Sequence, residues 1–388
     1  MSVRDVLIIG GGPSGLSAAI ACKQRGLDYQ VLEQGTLVNS IYRFPPQMVF
    51  FTTPELLEIG RVPFMSPFDK PTRAEALNYY RKVVDAFDLQ ICYEEKVLSV
   101  EREPGTDEKD GMDGTDGKSG NGTHASDPSV PSLPSVPSLF AVETLSSRGV
   151  RRARLARTVI LAIGYYDHPV MINVPGEDLP HVRHYYGEPH PYYRQRVVVV
   201  GGGNSAAESA LEMYRAGAHV TLVHRSPTLK PSIKYWVRPD IENRIKEGSI
   251  AARFSAIVRE IRPTAVVLGP CRAFETAVVS DVPVPADGSA EYVAPMRQGQ
   301  SSEEEIPADA VFLLTGYRAD SDLMVRAGVA LTARQAPVHD PDTFETNVPG
   351  LFVAGGAIAG VDTGTVFIEN GRFHGEKIVE VIARRVLG

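Results

Sequence analysis

The chain is predicted to be an α/β protein built from two Rossmann-like, three-layer dinucleotide-binding domains. Three observations predict this. An apolar strand that runs through a glycine turn into a small-residue helix occurs twice, at residues 3–15 and again at 196–207. Apolar segments that close on glycine recur at 158–164, 310–316 and 351–356, as buried parallel strands do. The length of 388 residues is enough for two or three domains with a proper core.

The first unit spans residues 3–33. Gly10 permits the tight turn, Gly12 lets the backbone approach a pyrophosphate, and Gly15 lets helix and strand pack closely. The positive end of the following helix, 16–25, faces the anion, and Gly26 stops that helix. Residues 29–33 form the second strand and end in the carboxylate of Glu33, which suits ribose hydroxyls and repels a 2′-phosphate. A glycine-rich turn alone can be merely structural. Strand, helix and acid in this order favour a nucleotide.

Residues 41–70, rich in aromatics and proline, read as irregular backbone, either a loop on the core or the wall of a flat aromatic ring. Thr72 caps a helix over 73–87, and strands follow at 89–93 and 96–101. Residues 103–138 are Gly, Asp, Ser and Pro with a short repeat near the end. They cannot bury enough apolar surface to offset their ordering entropy. They read as a mobile low-complexity insertion between strands 97–102 and 139–144, with a partner-binding tail as the other reading. Asn121-Gly122-Thr123 within them fits a glycosylation pattern that a cytoplasmic chain does not use.

In the second unit the strand 196–200 turns at Gly201-Gly202-Gly203 into a helix that runs to Arg215, and strand 219–223 follows. It ends in His224-Arg225, with Lys230 close behind. Cations where the first unit has Glu33 suit a 2′-phosphate, and so NADPH over NADH; a solvated basic loop is the plainer alternative. Residues 233–261 read as helix and then strand, and 264–305 as strands broken by Pro/Gly turns. A closing strand at 310–317, a buried strand at 349–356 and residues 363–375 then lead into the last helix.

A net charge of −7 leaves no nucleic-acid footprint or membrane-surface patch, and no window is long enough for a spanning helix or a signal peptide. The three cysteines, Cys22, Cys92 and Cys271, are scattered and form neither a Cys-x-x-Cys pair nor a metal site. A cytoplasmic location with reduced thiols is expected.

Two units of opposite charge preference imply two nucleotides, FAD on the first and NADPH on the second. The arrangement resembles the two-dinucleotide-binding-domain flavoproteins, of which thioredoxin reductase is the compact member. That resemblance implies an NADPH domain, 168–318, inserted into a split FAD domain, 1–167 and 319–388, and a homodimer. The redox Cys-x-x-Cys pair of thioredoxin reductases is missing, and Gly356 stands where their flavin motif has Asp. A narrower set of motifs resembles the bacillithiol disulfide reductase family: Gly10-Gly11-Gly12-Pro13-x-Gly15, Ser40-Ile41-Tyr42, Phe50-Phe51, Val174-Pro175-Gly176-Glu177-Asp178 and His190-Pro191-Tyr192. The most specific is Glu369-Asn370-Gly371-Arg372-Phe373-His374-Gly375.

That family contains FAD, uses NADPH and is associated with reduction of oxidised bacillithiol. Carried onto this chain, the resemblance implies FAD contacts at Gly10, Gly12, Pro13, Ser14, Gly15, Glu33, Gln34, Ile41, Phe51, Thr52, Val97, Ala162, Ile163, Gly164, Gly355, Gly356, Thr365, Val366 and Phe367. It implies NADPH contacts at Gly201, Gly203, Asn204, Ser205, Ala206, His224, Arg225, Lys230 and Gly316. Ser14 stands where many members have cysteine, and serine cannot form a mixed disulfide; its hydroxyl then serves the helix N-terminus or the cofactor phosphate. The expected activity is reduction of a low-molecular-weight thiol disulfide. The alternatives are electron delivery to ferredoxin or flavodoxin, a flavin monooxygenase, and an NADPH or redox sensor. The monooxygenase reading rests on residues 184–190, which resemble Phe-x-Gly-x-x-x-His but begin with Tyr and fall one residue short.

Overall fold

The computed structural model describes residues 2–102, 139–271 and 303–387. The low-complexity insertion 103–138, the Asn121 pattern within it, and most of the expected strand alternation between 264 and 305 lie outside the described residues. The chain forms two compact units, one of residues 1–42, 52–167 and 318–388, the other of 43–51 and 168–317. Residues 43–51 thus belong to the second unit, although the sequence places them with the first. Their side chains account for this. The Phe51 ring stacks on Trp236 with centroids 5.6 Å apart, the Lys234 ammonium donates to the Val49 carbonyl at 3.3 Å, and the Arg43 guanidinium lies over Tyr185.

In the first unit, Val3–Ile9 pairs in parallel with Tyr29–Leu32 on one side and with Arg151–Leu161 on the other, and Ile91–Cys92 extends the sheet beyond Tyr29–Leu32. Arg151–Leu161 changes partner along its length. Its first half is antiparallel to Phe140–Ser146, which pairs in turn with Glu95–Arg102, and its last three residues run parallel to Leu351–Val353. The sequence expectation begins this strand only at Thr158 and leaves out Arg151, Arg152 and Arg154. Those arginines are accommodated by pairing: Arg154 reaches the buried Glu95 at 2.8 Å, and Arg151 reaches Glu143 at 2.7 Å.

The registers set Ile9 beside Leu32 and Leu161, and Leu161 beside Val353. Four parallel strands therefore end at one edge, where ligands bind in open α/β sheets. The first helix is Pro13–Gln24, three residues longer at its start than the sequence suggests, because proline is preorganised for the first helical position. The helix Arg73–Phe87 carries a reciprocal cap: the Glu75 N–H donates to Thr72 Oγ1, and the Thr72 N–H donates to Glu75 Oε2. Residues 41–70 are largely irregular, with a one-turn helix at Pro54–Leu57 whose region is tied down by Arg372, which donates to the carbonyls of Glu55 and Glu58.

In the second unit five strands are parallel, in the order Ala251–Phe254, His219–His224, Arg196–Val200, Ala310–Leu313, Val182–Arg183. The helices Asn204–Arg215 and Arg238–Lys246 cover one face, burying Leu211, Met213 and Ile241 against Val199 and Phe312. The antiparallel strands Ala256–Arg262, Ala265–Pro270 and Glu304–Pro307 cover the other, where Val266 and Leu268 meet Val198 and Val311. The result is three layers. Among the described residues, no helix is long and apolar enough to cross a membrane.

The last helix of the first unit, His374–Val386, lies against the first helix almost backbone to backbone: a Cβ on Gly375 would fall 2.3 Å from the Ala18 nitrogen and 2.9 Å from the Ser14 carbonyl oxygen. Alanine in place of a helical glycine gains up to about 1 kcal/mol of propensity, but a backbone clash of this depth outweighs it. Gly375→Ala is expected to lower the unfolding free energy by about 2–3 kcal/mol, read from urea denaturation midpoints; an unchanged or raised midpoint refutes this packing.

Candidate functional site

At the sheet edge of the first unit the chain leaves Ile9 through Gly10, whose φ is 110° and whose Cβ would fall 2.3 Å from the Ala162 carbonyl oxygen. Gly15 is as confined, with 2.0 Å left to the Gly10 carbonyl oxygen. Gly12 is the opposite case, since no atom of the described residues lies within 4 Å of the Cβ it lacks. It caps the helix Pro13–Gln24 in extended conformation, and no side chain accepts a hydrogen bond there. First-turn N–H groups without a side-chain cap, beside open space and at the positive helix end, fit a diphosphate.

Glu33 is 5% exposed, and both its oxygens already accept backbone N–H groups, Oε2 from Gly11 at 2.7 Å and Oε1 from Gly35 at 2.8 Å. Burial raises its pKa and outweighs the lowering by those two donors. The carboxylate therefore shapes the glycine turn as well as offering its remaining lone pairs to ribose hydroxyls, a role that the sequence does not disclose. Gln34 donates to Asp167 at 2.8 Å. Ile41 is buried, and just before it the Val38 N–H donates to the Gly11 carbonyl.

The C-terminal segment reaches the same edge. The Ser14 hydroxyl donates to the Gly371 carbonyl at 3.0 Å, so it serves the C-terminal segment rather than its own helix N-terminus. Ala162, Ile163 and Gly164 leave Leu161 there as loop, not as the strand expected, and Gly164 has a φ of 63°. Gly356 packs against the Tyr165 ring, with 2.6 Å between its absent Cβ and the nearest ring carbon. Thr365, Val366 and Phe367 lie in a loop pinned by Asn370, which accepts the Phe367 N–H at 2.8 Å and donates to the Thr365 carbonyl at 3.0 Å.

The Val97 side chain is part of the hairpin core, packed with Leu7, Leu32 and Val142, and Phe51 falls in the second unit. Thr52 is buried in the first unit.

In the second unit, Gly201 has a φ of 151° with its absent Cβ 2.5 Å from the Leu314 carbonyl oxygen, and Gly203 caps the helix Asn204–Arg215, again without a side-chain cap. Ser205 and Ala206 occupy its first turn, and Gly316, φ 112°, faces open space. The Lys230 stem passes beside Gly203, and its N–H donates to the Gly202 carbonyl at 3.0 Å.

His224 departs from the cationic role expected of it. It is 5% exposed, its imidazole fills the space above Gly202, and its Nε2 has no partner among the described residues. Burial first, then Lys230 and Arg225, push its pKa down to about 4. The positive charge available to a 2′-phosphate is that of Arg225 and Lys230, while His224 is a neutral polar group beneath the glycine turn.

Lys234 carries no motif and is missed by sequence reasoning. Its N–H donates to the Asn204 side chain at 2.8 Å, and its buried ammonium pairs with Glu208 at 2.6 Å. The loop after Lys230 is thereby tied to the helix that would meet the phosphates.

A family model described as pyridine nucleotide-disulphide oxidoreductase matches residues 7–108, 130–303 and 287–355. The bacilliredoxin reductase Bdr of Bacillus subtilis (strain 168) is 37% identical over 386 residues, 99% of each chain. The solved bacillithiol disulfide reductase Bdr (YpdA) from Bacillus cereus superimposes with a TM-score of 0.80 at 35% identity, covering 99% of this chain and 100% of that one. Its counterpart from Staphylococcus aureus gives 0.79 at 32% identity and covers both chains fully.

The buried His224 generates a pH dependence. Between 6.5, its ordinary value, and about 4 the unfolded chain binds a proton at this position and the native chain does not. Stability is therefore full above pH 6.5 and falls as the pH drops, by about 2 kcal/mol at pH 5. Denaturation free energies at pH 7 and pH 5 should differ less in His224→Gln by that amount; an equal pH slope in both proteins would show that the imidazole is protonated when folded.

Proposed function

The chain belongs to the pyridine nucleotide-disulphide oxidoreductase family and, within it, groups with the bacilliredoxin reductases; from that membership we propose that it takes two electrons from NADPH and reduces bacillithiol disulfide, a low-molecular-weight thiol disulfide. The full-length match carries the assignment, because two glycine turns fit many NADPH-dependent flavoproteins and do not name the acceptor. The overall change is NADPH, one proton and one disulfide giving NADP⁺ and two thiols. Delivery to ferredoxin or flavodoxin is the alternative. We place the enzyme in the cytoplasm as a homodimer.

The residues fit their groups. In the first unit the uncapped helix start at Gly12 would receive the FAD diphosphate, and Glu33 would hold the ribose. In the second, the helix start at Gly203 would receive the NADPH diphosphate, with Arg225 and Lys230 on the 2′-phosphate. FAD, when bound, supplies the two-electron chemistry between nicotinamide and acceptor.

The chain's own thiols take no part in this proposal. The sequence has three cysteines. Cys22 lies in the core face of the first helix, ten residues or about 15 Å along from Gly12, and burial pushes its thiol up to about 12. Cys92 sits on the outer strand of the sheet, where its carbonyl accepts the Glu33 N–H on the ribose side. Cys271 follows an antiparallel strand of the second unit. At the helix start itself stands the Ser14 hydroxyl, bonded to Gly371. With serine and not cysteine at that helix start, we read the disulfide as reduced directly or through an outside thiol, with no mixed disulfide to the protein.

Anaerobic titration tests the assignment: NADPH should bleach the yellow protein, and bacillithiol disulfide should restore its colour with two thiols released per NADPH. Recovery with ferredoxin but not with the disulfide would overturn it. A variant with Cys22, Cys92 and Cys271 all replaced by serine should keep turnover within about twofold of wild type, and intact-mass spectra under turnover should contain no bacillithiol adduct. Arg225→Ala and Lys230→Ala should each raise KM for NADPH about tenfold, the loss of one charge-assisted bond, with KM for NADH nearly unmoved. Equal effects on both nucleotides would remove the 2′-phosphate role.

A further inference from the structure

The strand order of the first unit gives the bound dinucleotide a direction. Tyr29–Leu32, which leads to Glu33, lies on one side of Val3–Ile9, and Arg151–Leu161 followed by Leu351–Val353 lies on the other. A cofactor held at its ribose by Glu33 and at its diphosphate by the Gly12 helix start must run toward the turn that follows Val353. Gly355 makes that turn. Its φ is 64°, and a Cβ on it would fall 2.3 Å from Ser14 Oγ. Only glycine fits, and a free glycine has no reason to hold this shape.

His374 supplies the reason. Its Nδ1 accepts the Gly355 N–H at 3.1 Å, while its ring lies on Phe344 with centroids 4.3 Å apart at 25°. Phe344 stacks in turn on His339 at 6.0 Å, and the Lys377 ammonium lies 5.9 Å from the Phe344 ring. Acceptance at Nδ1 requires that nitrogen to be unprotonated. Burial first, then Lys377 on the same helix and His339 beyond Phe344, push the imidazole down to about 4. The ring is thus kept as an acceptor through the neutral range.

We propose that His374 is a positioning residue of the flavin site, whose neutral imidazole fixes the Gly355 turn in the conformation that receives the end of FAD remote from Glu33. The inference rests on the assignment of FAD to the first unit. It gives the C-terminal Phe373-His374-Gly375 motif two adjoining duties, since Gly375 permits the helix contact and His374 sets the turn beside it.

Two variants and one titration decide it, read as FAD dissociation constants of the apoprotein and as flavin released on acidification. Asparagine places Oδ1 where Nδ1 stands and takes up no proton in this range. At pH 7, His374→Ala should bind FAD about tenfold more weakly, and His374→Asn should stay within about threefold of wild type. As the pH falls toward 4, protonation of Glu33 weakens FAD binding alike in both proteins, and the wild type should shed FAD at a higher pH than His374→Asn. Wild-type affinity in His374→Ala, or release over the same pH range in wild type and His374→Asn, overturns the proposal. If the alanine variant does not fold, the comparison of wild type with His374→Asn still decides. A wild-type apoprotein that takes up no FAD overturns the first-unit assignment and the inference with it.

Discussion

The constraint on which the first unit depends is that its chain passes itself at distances that exclude a side chain. Gly10 against Ala162, Gly15 against Gly10, Gly355 against Ser14 and Gly375 against Ala18 are four such crossings, each with 2.0–2.3 Å between the absent Cβ and the nearest atom. They join the first strand, the first helix and the last helix into one block beneath the nucleotide edge. Close packing transmits strain rather than absorbing it, so a methyl group at any crossing displaces parts that the binding loops share. Gly12 stands in the same turn and is free of such contacts. Glycine thus serves packing at most of these positions and access at one.

Electrostatics separates the two nucleotide positions. Glu33 is a buried acceptor already engaged with Gly11 and Gly35, and a second anion beside it would be repelled. Arg225 and Lys230 supply the opposite sign at the corresponding strand end of the second unit. The two histidines near these sites, His224 and His374, are both kept neutral by burial. Their role is hydrogen bonding and shape rather than charge.

Much of this was legible in the sequence because it rests on period and glycine placement. Strand runs closing on glycine located the sheet edges, and Thr72 announced a capped helix that the structure reproduces at Arg73–Phe87. What escaped depends on pairing across the chain. Arg151–Arg154 fell outside the expected strand, which began at Thr158, and the partner that stabilises Arg154, Glu95, lies far away in sequence. His224 looked cationic because its neighbours are basic, yet those neighbours and its burial are what suppress the charge. Residues 43–51 went with their sequence neighbours, whereas Phe51 and Val49 find their partners on Trp236 and Lys234.

The hairpin of the first unit sets where the chain can be interrupted. Arg102 is set opposite Phe140, Phe140 opposite Ala156, and Ala156 beside Arg4. The chain therefore leaves and re-enters the sheet five residues, or about 17 Å, from the edge formed by Ile9 and Leu161. Closing a longer connection there adds only a logarithmic entropy term. A protein engineer could therefore graft a reporter between Arg102 and Phe140 without disturbing the edge formed by Ile9 and Leu161.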